Sequence, residues 1–296
     1  MGSNVKSFGR EFLLPPYFAK LLTLLKQARG GHGSVDPFDF SIDRSGAGER
    51  VALESLVSQL ALGPGYVVDI AASDGLSASS TVGLFSSHGW RGLAVEMDSS
   101  KFCSLARSYS RITGASLART RITPVNIVPT LQAFEVPGDF TVLNLDIDSY
   151  DLRVLESLLQ GGYRPAIIGM EINEKIPPGV FFTVEFDENH YWQGDHFYGC
   201  SIDAACEIVR PFGYFLHRLQ YNNAFFVRSD LRTENVEDLA PHVAFESGYK
   251  NAINRAAMFP YNADVDNWLE LEPSDAVREV SAFFGGYTGK FSIRAT

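Results

Sequence analysis

The sequence of 296 residues predicts an α/β protein with a seven-stranded, mostly parallel sheet. Short apolar runs alternate with stretches of helical periodicity through the middle of the chain, which is the pattern of β-α-β units. Four of the runs end in a carboxylate, namely Asp69, Glu96, Asp146 and Glu171. Because ligands bind at the carboxyl ends of parallel strands, these acidic residues are expected to line one polar ligand site.

The first run, Tyr66–Ile70, leads into a turn of small residues that ends at Gly75, and Ser77 to Leu84 is predicted to be a helix. Small side chains let the backbone approach a ligand, and a helix N-terminus offers unpaired N–H groups. The turn has one glycine where the G-x-G-x-x-G motif has three, which disfavours a pyrophosphate site and a nicotinamide-dependent dehydrogenase. An ordinary strand-to-helix turn remains the alternative interpretation.

The second run, from Arg91 to Asp98, places Glu96 about twenty residues beyond this turn. A carboxylate in that position can accept hydrogen bonds from both hydroxyls of a ribose. Asp98 is expected to cap the following helix. A third strand is predicted over 122–128, where Asn126 would approach an adenine edge.

The richest motif follows the fourth run, where Asp146 and Asp148 alternate ahead of a helix that begins at Asp151. The period of two puts both carboxylates on one side of an extended strand. Carboxylates this close repel each other unless a cation or a shared proton relieves them. A helix-capping role for Asp148 is the alternative, and it leaves Asp146 unexplained. The fifth run ends in Glu171, with Asn173 two residues later.

Three regions are expected along the chain: a helical N-terminal extension over 1–60, a central domain over 61–228 and a mostly helical C-terminal extension over 229–296. The first extension contains helical patterns near 16–25 and 50–60. Within the central domain, residues 175–199 are rich in aromatic side chains and show no clear periodicity. This aromatic segment is predicted to be an irregular, mobile lid or substrate wall. A helix over 201–210 and two strands near 214–219 and 224–227 complete the domain.

Composition indicates a globular enzyme with a small-molecule substrate. The formal net charge of −10 disfavours a nucleic-acid surface, which needs clustered Lys and Arg. No apolar run is long enough to cross a bilayer, and no cleavable signal pattern is present, so no membrane association is expected. Cys103, Cys200 and Cys206 include no C-x-x-C pair, which favours a reducing, cytoplasmic location. The sequence leaves a homo-oligomer open.

Two motifs resemble those of class I S-adenosylmethionine (SAM) methyltransferases. The turn from Asp69 to Gly75 resembles the D-x-G-A-N-x-G opening motif, in the form of the FkbM-like group, with Ala71 and Ser73 in place of Gly and Asn. The run from Leu145 to Asp151 resembles the L-D-x-D-x-Y-[DE] motif of the macrocin O-methyltransferase (TylF-like) group. The resemblance covers about residues 60–228. It implies a Rossmann-like sheet of seven strands whose last strand is antiparallel.

The resemblance implies SAM as methyl donor and Mg²⁺ beside it. The residues expected to bind SAM are Asp69, Ala71, Ser73, Gly75, Glu96 and Asn126. By similarity to the TylF-like group, Asp146 would be a metal ligand and Asp148 the general base. That group has two adjacent acids after the fifth strand, whereas this chain has Glu171, Ile172 and Asn173. Glu171 is therefore expected to be a ligand, and Asn173 to complete an oxygen shell of the kind Mg²⁺ prefers.

The predicted function is metal-assisted O-methylation of a small polar metabolite or a sugar-like hydroxyl. Two alternatives stay open. One keeps the fold and SAM but methylates nitrogen or carbon without a metal. The other is a non-catalytic binding or assembly domain that retains the fold.

Overall fold

The computed structural model describes residues 38–296, and the helix predicted near 16–25 lies outside the described residues. Residues 40–296 form one compact unit. None of the helices described between residues 38 and 296 is both long and apolar enough to cross a lipid bilayer.

A seven-stranded sheet forms the centre of this unit. Its strands are β1 (Tyr66–Ile70), β2 (Arg91–Val95), β3 (Ala115–Ala118), β4 (Val142–Leu145), β5 (Ile167–Glu171), β7 (Tyr214–Gln220) and β8 (Asn223–Arg228), while β6 (Val180–Val184) lies outside it. The spatial order is β3-β2-β1-β4-β5-β8-β7. All neighbours pair in parallel except β8, which is antiparallel to both β5 and β7. This topology confirms the predicted class I methyltransferase fold.

Helices cover both faces of the sheet. In chain order the helices of the unit are α1 (Glu49–Gln59), α2 (Val82–Ser86), α3 (Ser99–Ser108), α4 (Ile127–Ala133), α5 (Asp151–Gln160), α6 (Ile202–Val209), α7 (Pro241–Phe245), α8 (Arg255–Met258) and α9 (Pro273–Phe283). Neighbouring residues of β1 face opposite cores, since Val67 packs with α1 to α3 and Val68 packs with α4 to α6. Burial on both faces explains why the strands are continuous apolar runs.

Two local predictions are wrong. The third strand is Ala115–Ala118, and the predicted strand over 122–128 is instead a turn that enters α4. The Asn126 side chain stabilises that turn, because its Oδ1 accepts from the N–H of Thr123 and its Nδ2 donates to the carbonyl of Arg121. Such local side-chain bonds compete with strand pairing.

The helix predicted from Ser77 to Leu84 begins only at Val82. The hydroxyl of Thr81, the residue before the helix, donates to Asp69 at 2.6 Å and makes no capping bond. Residues 71–81 therefore form a loop, called the β1 loop below, between β1 and α2.

The aromatic segment is predicted to be irregular, and this is wrong for part of it, while its role as a lid or substrate wall stays a prediction. It contains β6, which is buried along its whole length and pairs antiparallel with a ninth strand, β9 (Phe291–Ala295). The C-terminal extension therefore contains a strand as well as helices and turns, and the two regions share a third core that includes Phe182, Phe197 and Trp268. A fully buried strand has no alternation of polar and apolar residues, which is why its period was missed. Deleting the segment would remove part of a core.

Candidate functional site

The β1 loop has an unusual backbone. Ala71, Ser73 and Ala78 have left-handed φ values of 66°, 52° and 56°, and Gly75 has a φ of 70°. Non-glycine residues seldom adopt this region, and such residues concentrate at ligand sites. Ala71 and Ser73 stand where the SAM-binding motif has Gly and Asn, both of which adopt left-handed φ more readily.

Gly75 is required by packing as well as by its φ angle. A Cβ atom added there would lie 2.4 Å from Leu105 Cδ1 and 2.6 Å from Tyr109 Cε1. Leu105 belongs to α3 and is fully buried, so it has little room to move. The missing side chain lets the loop lie directly against the end of α3.

Glu96 leaves the end of β2 and joins the β1 loop. It is 4% exposed. One carboxylate oxygen accepts from the N–H of Ser73 at 2.9 Å, and the other accepts from the N–H of Asp98 at 2.7 Å. A carboxylate has about four acceptor positions, so about two remain for a ligand. Asp98 itself caps α3, accepting from Ser100 and Lys101 as expected.

Asp69 lies beneath the loop and is 2% exposed. It accepts from the Thr81 hydroxyl at 2.6 Å and from the Asn144 amide at 2.8 Å. Burial raises the pKa of the Asp69 carboxyl, and these two hydrogen bonds oppose the rise. Asp69 therefore ties β1 to β4 and to the start of α2, and it supports the loop from below.

Three carboxylates meet at the ends of β4 and β5. Carboxylate oxygens of Asp146, Asp148 and Glu171 all lie within 4.8 Å of one another, and we call this group the acid cluster. Asp148 reaches it through a left-handed φ of 56°, because β4 ends at Leu145 and the chain turns there. Asp151 holds this turn by accepting from the N–H groups of Ile147 and Ser149.

Burial and mutual repulsion govern the protonation of the cluster. Burial raises the pKa of Asp146 and of Glu171 well above the usual range, and neighbouring carboxylates raise both further. Burial also raises the pKa of Asp148, but the ammonium groups of Lys101 and Lys175 oppose that rise. Asp151, beneath the cluster, has its pKa raised to about 7 by burial. The cluster thus needs a proton or a cation to relieve its charge.

Glu171 has a free buried oxygen. Its Oε1 accepts from the Asn222 amide at 2.6 Å. Its Oε2 is buried and has no hydrogen-bond partner among the residues that the structure describes. Buried polar atoms are nearly always partnered, so this oxygen calls for either a proton shared with Asp146 or a bound ligand. The candidate metal-ligand atoms of the acid cluster are all carboxylate oxygens, which suit Mg²⁺ or Mn²⁺.

Two predicted site residues have other roles. The Asn173 amide donates to the carbonyls of His196 and Tyr198, both at 2.9 Å, and its Oδ1 accepts from the N–H of Lys175 at 3.3 Å. Asn173 therefore fastens the aromatic segment, and its amide is committed to these contacts and not to the acid cluster. Asn126 is engaged in the turn before α4, as described above, so its amide is not available to an adenine.

Arg121 was missed by sequence reasoning. Its guanidinium follows β3 and donates to the carbonyls of Glu188 and His190 at 2.6 and 3.1 Å. It also donates to the hydroxyls of Tyr150 and Tyr191 at 3.0 and 3.1 Å. Arg121 thereby fastens residues 188–191 of the aromatic segment to the sheet edge. In the sequence, the role of Arg121 is indicated only by an arginine soon after a predicted strand. Such an arginine does not identify partners about 70 residues away.

A buried ion pair adjoins the cluster and was also missed. Glu174 and Lys175 have side chains that are 1% and 3% exposed, with Lys175 Nζ at 3.2 Å from Glu174 Oε1. The Tyr198 hydroxyl donates to Glu174 and accepts from Lys175, both at 2.7 Å. The Asn262 amide, from the C-terminal region, donates to Glu174 at 2.6 Å and to the Tyr249 hydroxyl at 2.9 Å.

Comparison with known proteins gives structural likenesses alone. No protein-family model matches the sequence. No curated protein matches it either. Among solved structures, a SAM-dependent methyltransferase from Aquifex aeolicus is similar at 12% identity and a TM-score of 0.38, over 66% of this chain and 97% of that one.

Two further structures are similar to a comparable degree. The N-terminal domain of EvdMO1, in the presence of SAH and D-fucose, has 10% identity and a TM-score of 0.40 over 61% of this chain and 82% of its own. Magnesium protoporphyrin IX methyltransferase (ChlM) from Synechocystis PCC 6803, with bound SAM, has 11% identity and a TM-score of 0.38 over 72% and 94%. Scores this low assign neither fold nor activity, so the fold assignment rests on the strand order.

Proposed function

We propose that the protein is a SAM-dependent methyltransferase that methylates a hydroxyl oxygen of a small polar molecule with the help of a divalent cation. The observation that carries the proposal is the acid cluster of Asp146, Asp148 and Glu171, with its orphan buried oxygen. It lies at the carboxyl edge of a sheet whose β1 loop and β2 end carry the features of a nucleoside site.

The methyl donor would lie along the β1 loop. Glu96 would accept from the ribose hydroxyls through its remaining acceptor positions, since each of its oxygens is already oriented by one backbone N–H. The left-handed residues Ala71, Ser73 and Gly75 would shape the backbone around the amino-acid end of SAM. Asp69 supports this loop from below and has both oxygens engaged, so we assign it a supporting role.

Asp146 and Glu171 fit a divalent cation because both present carboxylate oxygens to one point and both are partly buried. A bound Mg²⁺ would lower the pKa of an acceptor hydroxyl and help to orient it. Asp148 is the base that takes the hydroxyl proton. Burial raises the pKa of Asp148, and the ammonium groups of Lys101 and Lys175 oppose that rise and so favour the ionised form that a base requires.

A metal-free alternative has support from the same carboxylates. The raised pKa values of Asp146 and Glu171 mean that a proton shared between them could relieve the cluster. Asp148 would then still serve as base, and the acceptor could be nitrogen or carbon. A chelator separates the alternatives, because only the cation-assisted reaction depends on free metal.

Calorimetric titration with SAM, followed by methyl transfer to a panel of small hydroxylated acceptors, tests the proposal. We expect SAM to bind, and we expect turnover to stop with excess chelator and return with Mg²⁺ or Mn²⁺. An absence of SAM binding would contradict the methyltransferase assignment. Full turnover in exhaustively chelated enzyme would contradict only the part of the proposal that assigns a cation to the reaction.

A further inference from the structure

We infer that His190 is a pH-sensitive latch: its neutral imidazole holds the aromatic segment against the C-terminal region, and protonation of the imidazole releases the segment. The latch concerns the conformation of the segment and goes beyond the proposed function, because it does not depend on which reaction the protein catalyses. It is built from one buried imidazole and two aromatic rings that come from different parts of the chain.

The imidazole of His190 packs edge-to-face against two rings. Its centroid lies 5.4 Å from that of Phe197 and 5.8 Å from that of Tyr287. Phe197 belongs to the aromatic segment, whereas Tyr287 belongs to the turn Gly285–Tyr287 before β9. The rings of Phe197 and Tyr287 stack on each other with centroids 3.9 Å apart. His190 therefore lies where the aromatic segment contacts the C-terminal region.

This position suits a neutral imidazole and not a charged one. His190 is 6% exposed, and its Nε2 is buried without a hydrogen-bond partner among residues 38–296. An imidazolium carries a proton on both ring nitrogens, so protonation would leave a buried, charged donor without an acceptor. Burying an unpartnered charge is costly, and a segment that opens and admits water to the ring avoids that cost.

The acids near His190 are engaged with other groups. Asp187 pairs with Lys290 at 3.0 Å, and Asp195 accepts from the Tyr287 hydroxyl. That hydrogen bond is the main cause that raises the pKa of Tyr287 to about 12, so Tyr287 does not titrate near neutral pH. Neither carboxylate gives Nε2 of His190 an acceptor, although both add negative charge nearby.

Two cations oppose a positive charge on the imidazole. The guanidinium of Arg121 donates to the carbonyl of His190 at 3.1 Å, and Lys290 immediately precedes β9. Burial lowers the pKa of His190, and the charges of Lys290 and Arg121 lower it further. Asp187 and Asp195 oppose this fall without reversing it. The closed segment therefore favours the neutral imidazole.

Acidification should open the segment. An imidazole in water has a pKa of about 6.5, which is above that of His190 in the closed segment. The open form therefore binds a proton that the closed form lacks, and the closed form loses stability as pH falls below about 6.5. In that window the equilibrium constant for opening rises by up to about tenfold per pH unit.

The latched residues lead directly to the acid cluster. The N–H of Gly199, two residues after Phe197, donates to the carbonyl of Ser149 at 2.7 Å. Ser149 follows Asp148 in the chain. Release at His190 would therefore loosen the aromatic segment within a few residues of the cluster, and an acceptor would reach the cluster more easily at low pH.

The test is amide hydrogen exchange of the full chain from about pH 7.5 to 5.5, with rates corrected for the pH dependence of chemical exchange. Two amides report on the latch: Phe197 donates to Asp195 Oδ1 at 3.0 Å, and Lys290 donates to the carbonyl of Tyr287 at 2.9 Å. Their protection factors, relative to those of amides in β1, should fall by about two- to tenfold as pH falls. The β1 amides give the reference because they report unfolding of the central sheet.

His190→Phe keeps a ring against Phe197 and Tyr287 but removes the titrating nitrogens, so the fall should vanish. His190→Gln also cannot become charged, and it provides a second test if the first variant does not fold. Thermal unfolding verifies that each variant is folded. His196→Gln is the matched control, because His196 lies in the same segment with its Nε2 3.0 Å from Asp264 Oδ1. This control should retain the wild-type fall.

A fall that vanishes in the folded His190 variants and persists in His196→Gln supports the latch. Three outcomes would overturn it: a change of less than about twofold in the wild type, a fall that persists in a folded His190 variant, or loss of the fall in His196→Gln. The measurement uses no SAM, so its result does not depend on whether the proposed function is correct.

Discussion

The backbone N–H of Ser73 donates a hydrogen bond to the Glu96 carboxylate at 2.9 Å. This bond joins the β1 loop to the end of β2, two elements separated by 23 residues. It orients Glu96 toward the loop and holds Ser73 at a left-handed φ. A ligand that binds both elements would meet a site already formed, which lowers the cost of ordering it on binding.

Glu96→Ala should weaken SAM binding. The side chain would lose charge-assisted hydrogen bonds to the ribose, each worth about 1.5–3 kcal/mol. Loss of one such bond corresponds to roughly a tenfold or greater rise in the dissociation constant, measured by calorimetry. Asp98→Ala is the matched control. It removes the cap of α3 and should cost about 1 kcal/mol of stability while sparing SAM affinity. Unchanged affinity in Glu96→Ala would reject the ribose assignment.

Gly75→Ala should destabilise the protein. The new methyl group would meet Leu105 and Tyr109 at 2.4 and 2.6 Å while the backbone stays left-handed. Overpacking of this kind costs about 1–3 kcal/mol, read from urea unfolding. Ala71→Gly is the matched control. It relieves the strain of an alanine at a left-handed φ, but glycine also gives the unfolded chain more freedom, and the two effects are of comparable size. Its unfolding free energy should stay within about 1 kcal/mol of wild type. Equal effects of the two substitutions would contradict this view of the loop.

Stability should respond to pH through the acid cluster. Asp146, Asp148, Glu171 and Asp151 have folded-state pKa values above their usual ones, and that of Asp151 is about 7. The folded state therefore keeps protons that the unfolded state releases. Their stabilising contribution is complete below the unfolded pKa values and is lost as pH rises toward 7 and above. Each retained proton contributes about 1.4 kcal/mol per pH unit in that window.

Ion pairs elsewhere, such as that of Arg153 with Glu185, make stability change with pH in the opposite direction. The Asp146→Asn/Glu171→Gln double variant keeps those ion pairs, so its difference from wild type isolates the effect of the acid cluster. In chelator, the double variant should gain stability relative to wild type as pH rises from about 4.5 to 7.5. Adding Mg²⁺ should reduce the difference by stabilising wild type alone. A difference that is independent of pH would show that the two carboxyls titrate normally.

Arg121→Gln should loosen the aromatic segment. Residues 188–191 would lose the guanidinium contacts that fasten them, so their amide hydrogens should exchange faster. Acceptor turnover should fall while SAM affinity stays within about twofold of wild type. Arg119→Gln, at an exposed position two residues earlier, is the control. Unchanged exchange in Arg121→Gln would mean that the buried strand β6 suffices to hold the segment.

Sequence reasoning placed the carboxylates that follow strands at one edge of the sheet, and it missed the contacts between residues far apart in the chain. Glu96, Asp146 and Glu171 could be predicted because parallel strands place their carboxyl ends at one edge. Lys175 and Asn262 belong to one network but are 87 residues apart, and no local pattern relates them. The strand β6 escaped detection because all of its residues are buried, which leaves no alternation of polar and apolar residues.

Local turn chemistry accounts for the remaining errors. Asn126 lies in an apolar run that resembles a strand, yet its amide stabilises a turn with Arg121 and Thr123. Asn173 follows Glu171 at a spacing that suits a ligand, yet its amide bonds to two carbonyls of the aromatic segment. Short polar side chains have several backbone partners within reach, and the sequence alone does not decide among them.

If SAM and a divalent cation share the carboxyl edge of this sheet, a crystal structure with SAH and Mn²⁺ will contain both there. We expect an anomalous manganese peak in contact with Asp146 and Glu171. We also expect the ribose hydroxyls to contact Glu96 and the amino-acid end of SAH to lie against the β1 loop. A nucleoside bound elsewhere, or a manganese peak that avoids both carboxylates, would contradict it.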